Sequence, residues 1–130
     1  MGSGTSSGRT SRASISRASA ASVNTLFSTY ETNFGSSSIN DQIIANEAIT
    51  ELRTRLDGTQ YANRQDIPGL QNAESATEQQ RLAWVQNSSN SQLISSFVSA
   101  AGQMSNGIPS SMTRMQYKQT KDEIKRRLGG

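Results

Sequence analysis

The chain has 130 residues, of which only 32% are hydrophobic, and it contains neither cysteine nor histidine. The lack of cysteine excludes a disulfide framework, and the lack of histidine removes the commonest general base and metal ligand. So few large apolar side chains bury too little surface for a stable lone monomer, and we expect subunits that complete their core by self-association.

Charge is sorted by position along the chain. Residues 1–30 carry three arginines and no acid, residues 31–111 carry four arginines and eight acids, and residues 112–130 have a net charge of +4. Basic ends and an acidic middle suit contact with phosphate or with a neighbouring copy. No stretch approaches the roughly 18 apolar residues of a membrane span, and no apolar signal region occurs. We expect a soluble chain with no membrane partner.

Residues 1–18 consist mainly of glycine, serine, threonine and arginine, with Ile15 as the one large aliphatic residue after Met1. Such a segment buries too little apolar surface to offset the conformational entropy that it would lose on ordering, so we predict a disordered basic arm. Its arginines, Arg9, Arg12 and Arg17, have three open interpretations: a solvated tail, an arm that neutralises nucleic-acid phosphates, or an arm that reaches the acidic middle of a neighbour.

Two helices are predicted after the arm. The first has an apolar stripe at helical spacing, formed by Val23, Leu26, Phe27, Tyr30 and Phe34. Gly35 ends it, and Ser38 is placed to cap a second helix that stops at Asp57–Gly58. One face of the second helix is expected to carry Ile39, Ile43, Ala48, Ile49, Leu52 and Leu56.

Further helices are predicted in the second half of the chain. Ser75 and Glu78 fit a capping box, and the polar run 86–92 either breaks the following helix or exposes two of its turns. An apolar stripe from Leu93 to Met104 precedes Gly107 and Pro109. A last helix begins near residue 110 and ends in Lys125, Arg126 and Arg127, whose charges complement the helix dipole.

These patterns predict an all-α fold of four to five short helices. We expect a flexible arm over 1–18 and a single helical domain over 19–130, with the bundle completed by self-association. Packing or interface anchors are expected among large apolar side chains, namely Phe27, Tyr30, Trp84, Phe97, Met112 and Met115.

The sequence offers no catalytic apparatus. Carboxylate pairs at helical spacing, Glu47 with Glu51 and Glu74 with Glu78, lie on faces that we expect to be solvated, where neither carboxyl would acquire the raised pKa of a general acid. Serine has no histidine to activate it, and no phosphate-binding glycine loop occurs. We therefore predict no enzyme, no catalytic residue, no metal site and no cofactor.

In size and layout the chain resembles small α-helical virion proteins, such as coat proteins of filamentous and rod-shaped viruses or internal and tail-associated proteins of tailed phages. The resemblance implies a particle component whose partners are copies of itself, other virion proteins and genomic nucleic acid, located in the virion or otherwise in the cytoplasm. The expected genome contacts are Arg9, Arg12 and Arg17, then Lys125, Arg126 and Arg127. The alternative is a small helical adaptor or DNA-packaging subunit that binds nucleic acid transiently.

Overall fold

A computed structural model describes residues 20–67 and 77–129, and within these ranges the chain forms five helices and no strand. The helices are α1 (Val23–Asn33), α2 (Ile39–Asp57), α3 (Glu78–Asn87), α4 (Asn90–Ser105) and α5 (Ser111–Arg127). The predicted all-α class is confirmed. The predicted arm over 1–18 lies outside the described residues, and self-association stays a prediction.

Each of the five helices begins directly after a serine or threonine. The hydroxyl oxygen accepts the backbone N–H three residues on, which satisfies one of the donors that a helix start leaves without a partner. These N-cap residues are Ser22, Ser38, Thr77, Ser89 and Ser110. The predicted Ser75–Glu78 capping box is wrong, because Glu78 is the first residue of α3 and the box is formed by Thr77 and Gln80.

The chain divides into two compact units, residues 1–54 and residues 55–130. The boundary falls within α2, which is one continuous helix over Ile39–Asp57. The expectation of one helical domain over 19–130 therefore stays a prediction.

The first unit contains α1 and most of α2. Its buried apolar side chains are Leu26, Phe27 and Tyr30 on α1 and Ala45, Ala48, Ile49 and Leu52 on α2. The rings of Tyr30 and Phe34 stack with centroids 5.0 Å apart. Ile39, expected on the buried face of α2, is 71% exposed. Ile39 is the first residue of α2, and the first buried residue of this helix is Ala45.

In the second unit, α3 and α4 both pack against α5. The apolar core consists of Leu56, Trp84, Val85, Leu93, Ile94, Phe97, Ala100, Ala101 and Ile124. Phe97 stacks on Tyr117 with ring centroids 5.2 Å apart, which joins α4 to α5. Buried polar side chains surround this core, among them Arg81, Asn90, Thr120, Glu123 and Arg127. Such groups are stable in an interior only when their hydrogen bonds are made.

The polar run at 86–92 breaks the helix, which settles the alternative that the sequence left open. Ser88 and Ser89 are extended, with ψ of 160° and 161°, and α4 begins at Asn90. All three of these residues are buried rather than solvated. The Ser89 hydroxyl also donates a hydrogen bond to the Asp66 carboxylate at 2.5 Å. This bond connects the break to the segment that follows α2.

Candidate nucleic-acid interface

Four cationic side chains follow one another along α5 at intervals of four, three and four residues. At 3.6 residues per turn they lie within about 60° of the helix circumference and extend over about 16 Å of its axis. We call this set the α5 basic face; it consists of Arg114, Lys118, Lys121 and Lys125. The buried residues of α5, such as Thr113, Thr120 and Ile124, lie on the other side of the helix.

The α5 basic face is only partly neutralised by its neighbours. Lys118 pairs with Asp122 at 3.1 Å, but the two side chains are 80% and 58% exposed, so water and salt screen the attraction. Lys121 places its ammonium 6.0 Å from the centroid of the Tyr117 ring. Within residues 20–67 and 77–129, Arg114 and Lys125 have no ion-pair partner. This surface therefore keeps a positive potential.

The three cations predicted at the end of α5 occupy three different environments. Lys125 is half-buried on the α5 basic face. Arg126 has a half-exposed side chain and donates two hydrogen bonds to Glu123, from Nε to Oε1 at 2.8 Å and from Nη2 to Oε2 at 2.6 Å. Arg127 has no exposed side-chain surface. The group therefore does not form one solvent-facing patch.

Arg127 binds groups of its own chain. Its Nε donates to Glu123 at 2.8 Å and its Nη1 to the Asn90 side chain at 2.9 Å. Its Nη2 donates to backbone carbonyl oxygens at the end of α3, those of Val85, Gln86 and Ser88, at 2.8–3.3 Å. Burial lowers the pKa of Arg127 and the Glu123 hydrogen bond opposes this shift, but a guanidinium stays charged in proteins. Arg127 is therefore not available to a ligand in solvent.

A second cationic site surrounds Tyr61, in the loop that follows α2. Three guanidinium carbons lie near the centroid of its ring, that of Arg64 at 5.0 Å, Arg127 at 5.1 Å and Arg126 at 5.6 Å. We call Tyr61, Arg64, Arg126, Arg127 and Glu123 the Tyr61 cluster. Cation–π contacts of this kind hold the loop against the end of α5.

The other predicted site residues are placed as follows. Phe27, Tyr30, Trp84 and Phe97 are buried, while Met112 and Met115 are half-buried. The four buried aromatic rings therefore offer no exposed platform for stacking bases. The arginines Arg9, Arg12 and Arg17 lie outside the described residues, so their assignment stays a prediction.

The carboxylate pairs and the potential ligand groups of the described residues are placed as follows. Glu47 and Glu51, expected on a solvated face, are half-buried, and Glu74 lies outside the described residues. No group of three potential metal ligands occurs within 20–67 and 77–129. A groove of about 340 Å³ is lined, among the described residues, by neutral hydroxyl and amide groups and one carboxylate: Asp66, Ser91, Gln92, Ser95, Ser96, Ser99, Gln103 and Gln116. It carries no cation that would extend the α5 basic face.

None of the described helices combines the length and apolar character that crossing a bilayer requires. Comparisons with protein-family models, curated proteins and solved structures found no match. The functional proposal therefore depends on the site itself. Sequence reasoning missed the α5 basic face, although the spacing of its four cations is visible in the sequence. It also missed the Tyr61 cluster, which no local pattern indicates.

Proposed function

We propose that this chain is a non-enzymatic structural protein that self-associates and binds the phosphate backbone of nucleic acid. The observation that carries the proposal is the α5 basic face, where four cations share one side of a helix whose opposite side is buried. A row of lysine and arginine side chains on one helix face is the electrostatic footprint of a nucleic-acid-binding surface.

The chemistry of the α5 basic face favours binding without sequence preference. Three of its four cations are lysines, which act as point charges rather than as planar forks that read base edges. Affinity then comes from counterion release and falls with salt. Four phosphate contacts give a slope of log affinity against log salt of about −3 for a single strand and about −3.6 for a duplex.

We place this activity in a virus particle, as a coat or other particle component. One support is the resemblance of the chain to small α-helical virion proteins in size and layout. The others are its low apolar content, which favours packing between subunits, and the basic ends and acidic middle of its sequence. Some apolar groups are also exposed, with Ile39 71% and Ile108 95% accessible. The alternative is a small helical adaptor or DNA-packaging subunit. The size of the protein in solution distinguishes the two.

The first experiment is fluorescence anisotropy with a labelled oligonucleotide over a salt series. Arg114→Gln removes one cation from the α5 basic face, and Arg53→Gln removes one from an exposed position on α2, so both variants change net charge equally. We expect Arg114→Gln to reduce the salt slope by about 0.7–0.9 and Arg53→Gln to leave it unchanged. Equal effects of the two variants would contradict a localised interface.

The second experiment measures particle size by light scattering at micromolar concentration. Large assemblies of defined size support a particle component. A small oligomer that still binds the oligonucleotide supports the adaptor alternative, and a monomer rules out self-association.

A further inference from the structure

The Tyr61 cluster concentrates more positive than negative charge. Three guanidinium groups lie within 5.6 Å of the Tyr61 ring centroid, and Glu123 is the acid that binds two of them, Arg126 and Arg127. The ends of α3 and α5 add partial negative charge, about half a unit each. Among the described residues, the cluster thus sets three guanidinium groups against one carboxylate and two helix ends.

Two groups of the cluster have pKa values that differ from their ordinary ones. The pKa of Tyr61 is lowered by hydrogen bonds from Gln60 and Arg126. The pKa of Arg127 is lowered first by burial and further by the charges of Arg64 and Arg126, which repel it. The neighbouring arginine charges contribute to both pKa shifts, but the largest cause is the Gln60 hydrogen bond for Tyr61 and burial for Arg127.

Two of the three guanidiniums reach solvent with hydrogen-bonding capacity left. Arg64 donates from Nη1 to the Gln86 carbonyl oxygen at 2.5 Å, which uses one of its five N–H groups. Arg126 directs Nε and Nη2 to Glu123, while its Nη1 lies 3.5 Å from the Tyr61 hydroxyl. The third, Arg127, has no exposed side-chain surface and does not itself face solvent.

We propose that Arg64 and Arg126 form an oxyanion site beside Tyr61 that takes a tetrahedral phosphate group. The groups of this site that can recognise a ligand are the remaining N–H donors of Arg64 and Arg126, and paired guanidinium N–H groups match the oxygens of a phosphate. The inference rests on the proposed function, in which nucleic acid is one source of that phosphate. Free phosphate is the other source.

The test uses the full chain and the variant Arg64→Gln, with Arg53→Gln as a control that removes an equal charge from an exposed position outside both the cluster and the α5 basic face. Inorganic phosphate is titrated against the protein at constant ionic strength, and binding is followed through the arginine Nε–H signals in NMR spectra. We expect Arg64→Gln to weaken phosphate binding about tenfold, since hydrogen bonds to a charged group are lost, and Arg53→Gln to have no effect.

The source of the phosphate is identified with two oligonucleotides that differ only in a 5′-phosphate. If the phosphorylated strand binds more tightly and Arg64→Gln removes the difference, the site takes a terminal phosphate. If Arg64→Gln weakens both strands equally, the site takes the backbone. If only inorganic phosphate responds to the variant, the ligand is free phosphate.

Failure of this site is distinguishable from failure of the proposed function. Unchanged phosphate binding in Arg64→Gln overturns the oxyanion site, while an effect of Arg114→Gln on oligonucleotide binding would still support the α5 basic face. Arg126→Lys provides a second variant, which keeps the charge but removes the planar fork. Circular dichroism spectra that match the original chain show that each variant is folded, and normal phosphate binding by a folded Arg126→Lys also counts against the site.

Discussion

The guanidinium of Arg127 donates hydrogen bonds to backbone carbonyl oxygens at the break between α3 and α4. A helix end leaves carbonyl oxygens without intrahelical donors, and buried ones need another partner. Arg127 supplies it, because its Nη2 reaches the carbonyl oxygens of Val85, Gln86 and Ser88. Glu123, buried beside it, compensates the charge.

Replacing this residue should therefore cost much stability. We expect Arg127→Ala to lower the free energy of unfolding by about 3–5 kcal/mol, because it leaves buried carbonyl oxygens and a buried carboxylate with fewer partners. Lys125→Ala, two residues earlier, should change it by about 0.5 kcal/mol or less. Urea unfolding followed by circular dichroism measures both. Equal costs would mean that the buried network contributes nothing measurable.

Among the elements, α4 carries the best-defined apolar face. Leu93, Ile94, Phe97, Ala100 and Ala101 are buried along it, and Phe97 reaches the Tyr117 ring of α5. Among the described helices of the second unit, α4 and α5 have the most extensive contact.

Shortening the central side chain of that face should destabilise the second unit. We expect Phe97→Ala to lower the free energy of unfolding by about 3–5 kcal/mol, through lost apolar burial and the cavity left behind. Thermal melts compared with those of Arg114→Ala, an exposed substitution on α5, provide the measurement. A melting temperature for Phe97→Ala near that of the original chain would place Phe97 outside the core.

The elements show which features a sequence pattern can predict. The end of α2 at Asp57 and its cap at Ser38 follow from chemistry within a few residues, so both could be predicted. The exposure of Ile39 could not, because helical spacing gives the orientation of a face but not where burial along it begins. The role of Arg127 depends on carbonyl oxygens about 40 residues earlier, which no local pattern encodes.

At the scale of the whole molecule, the distribution of charge is the property that the proposed function uses. The last 19 residues carry a net charge of +4 and the first 30 carry +3, while the acids are concentrated between them. The α5 basic face accounts for four cations of the C-terminal group. The N-terminal arginines are predicted to act on the same phosphates.

Removing residues 1–17 tests that prediction. We expect the helix content measured by circular dichroism to stay nearly constant, while the salt slope of single-strand binding falls by about 2 because three cations are lost. The full-length chain with Arg9, Arg12 and Arg17 all changed to Gln is the matched control, since it removes the same charge without shortening the chain. An unchanged slope in both would identify the segment as a solvated tail.

The hydrogen bond between Arg127 and the Val85 carbonyl oxygen also bears on folding during synthesis of the chain. The two residues are 42 positions apart, and chains are synthesised at about 5–20 residues per second. The carbonyl oxygens at the end of α3 therefore leave the peptidyl-transferase centre about 2–8 s before their partner is made. Until Arg127 is added, these carbonyl oxygens lack its hydrogen bonds, so we expect the second unit to reach its native state only after the last turn of α5 has been made.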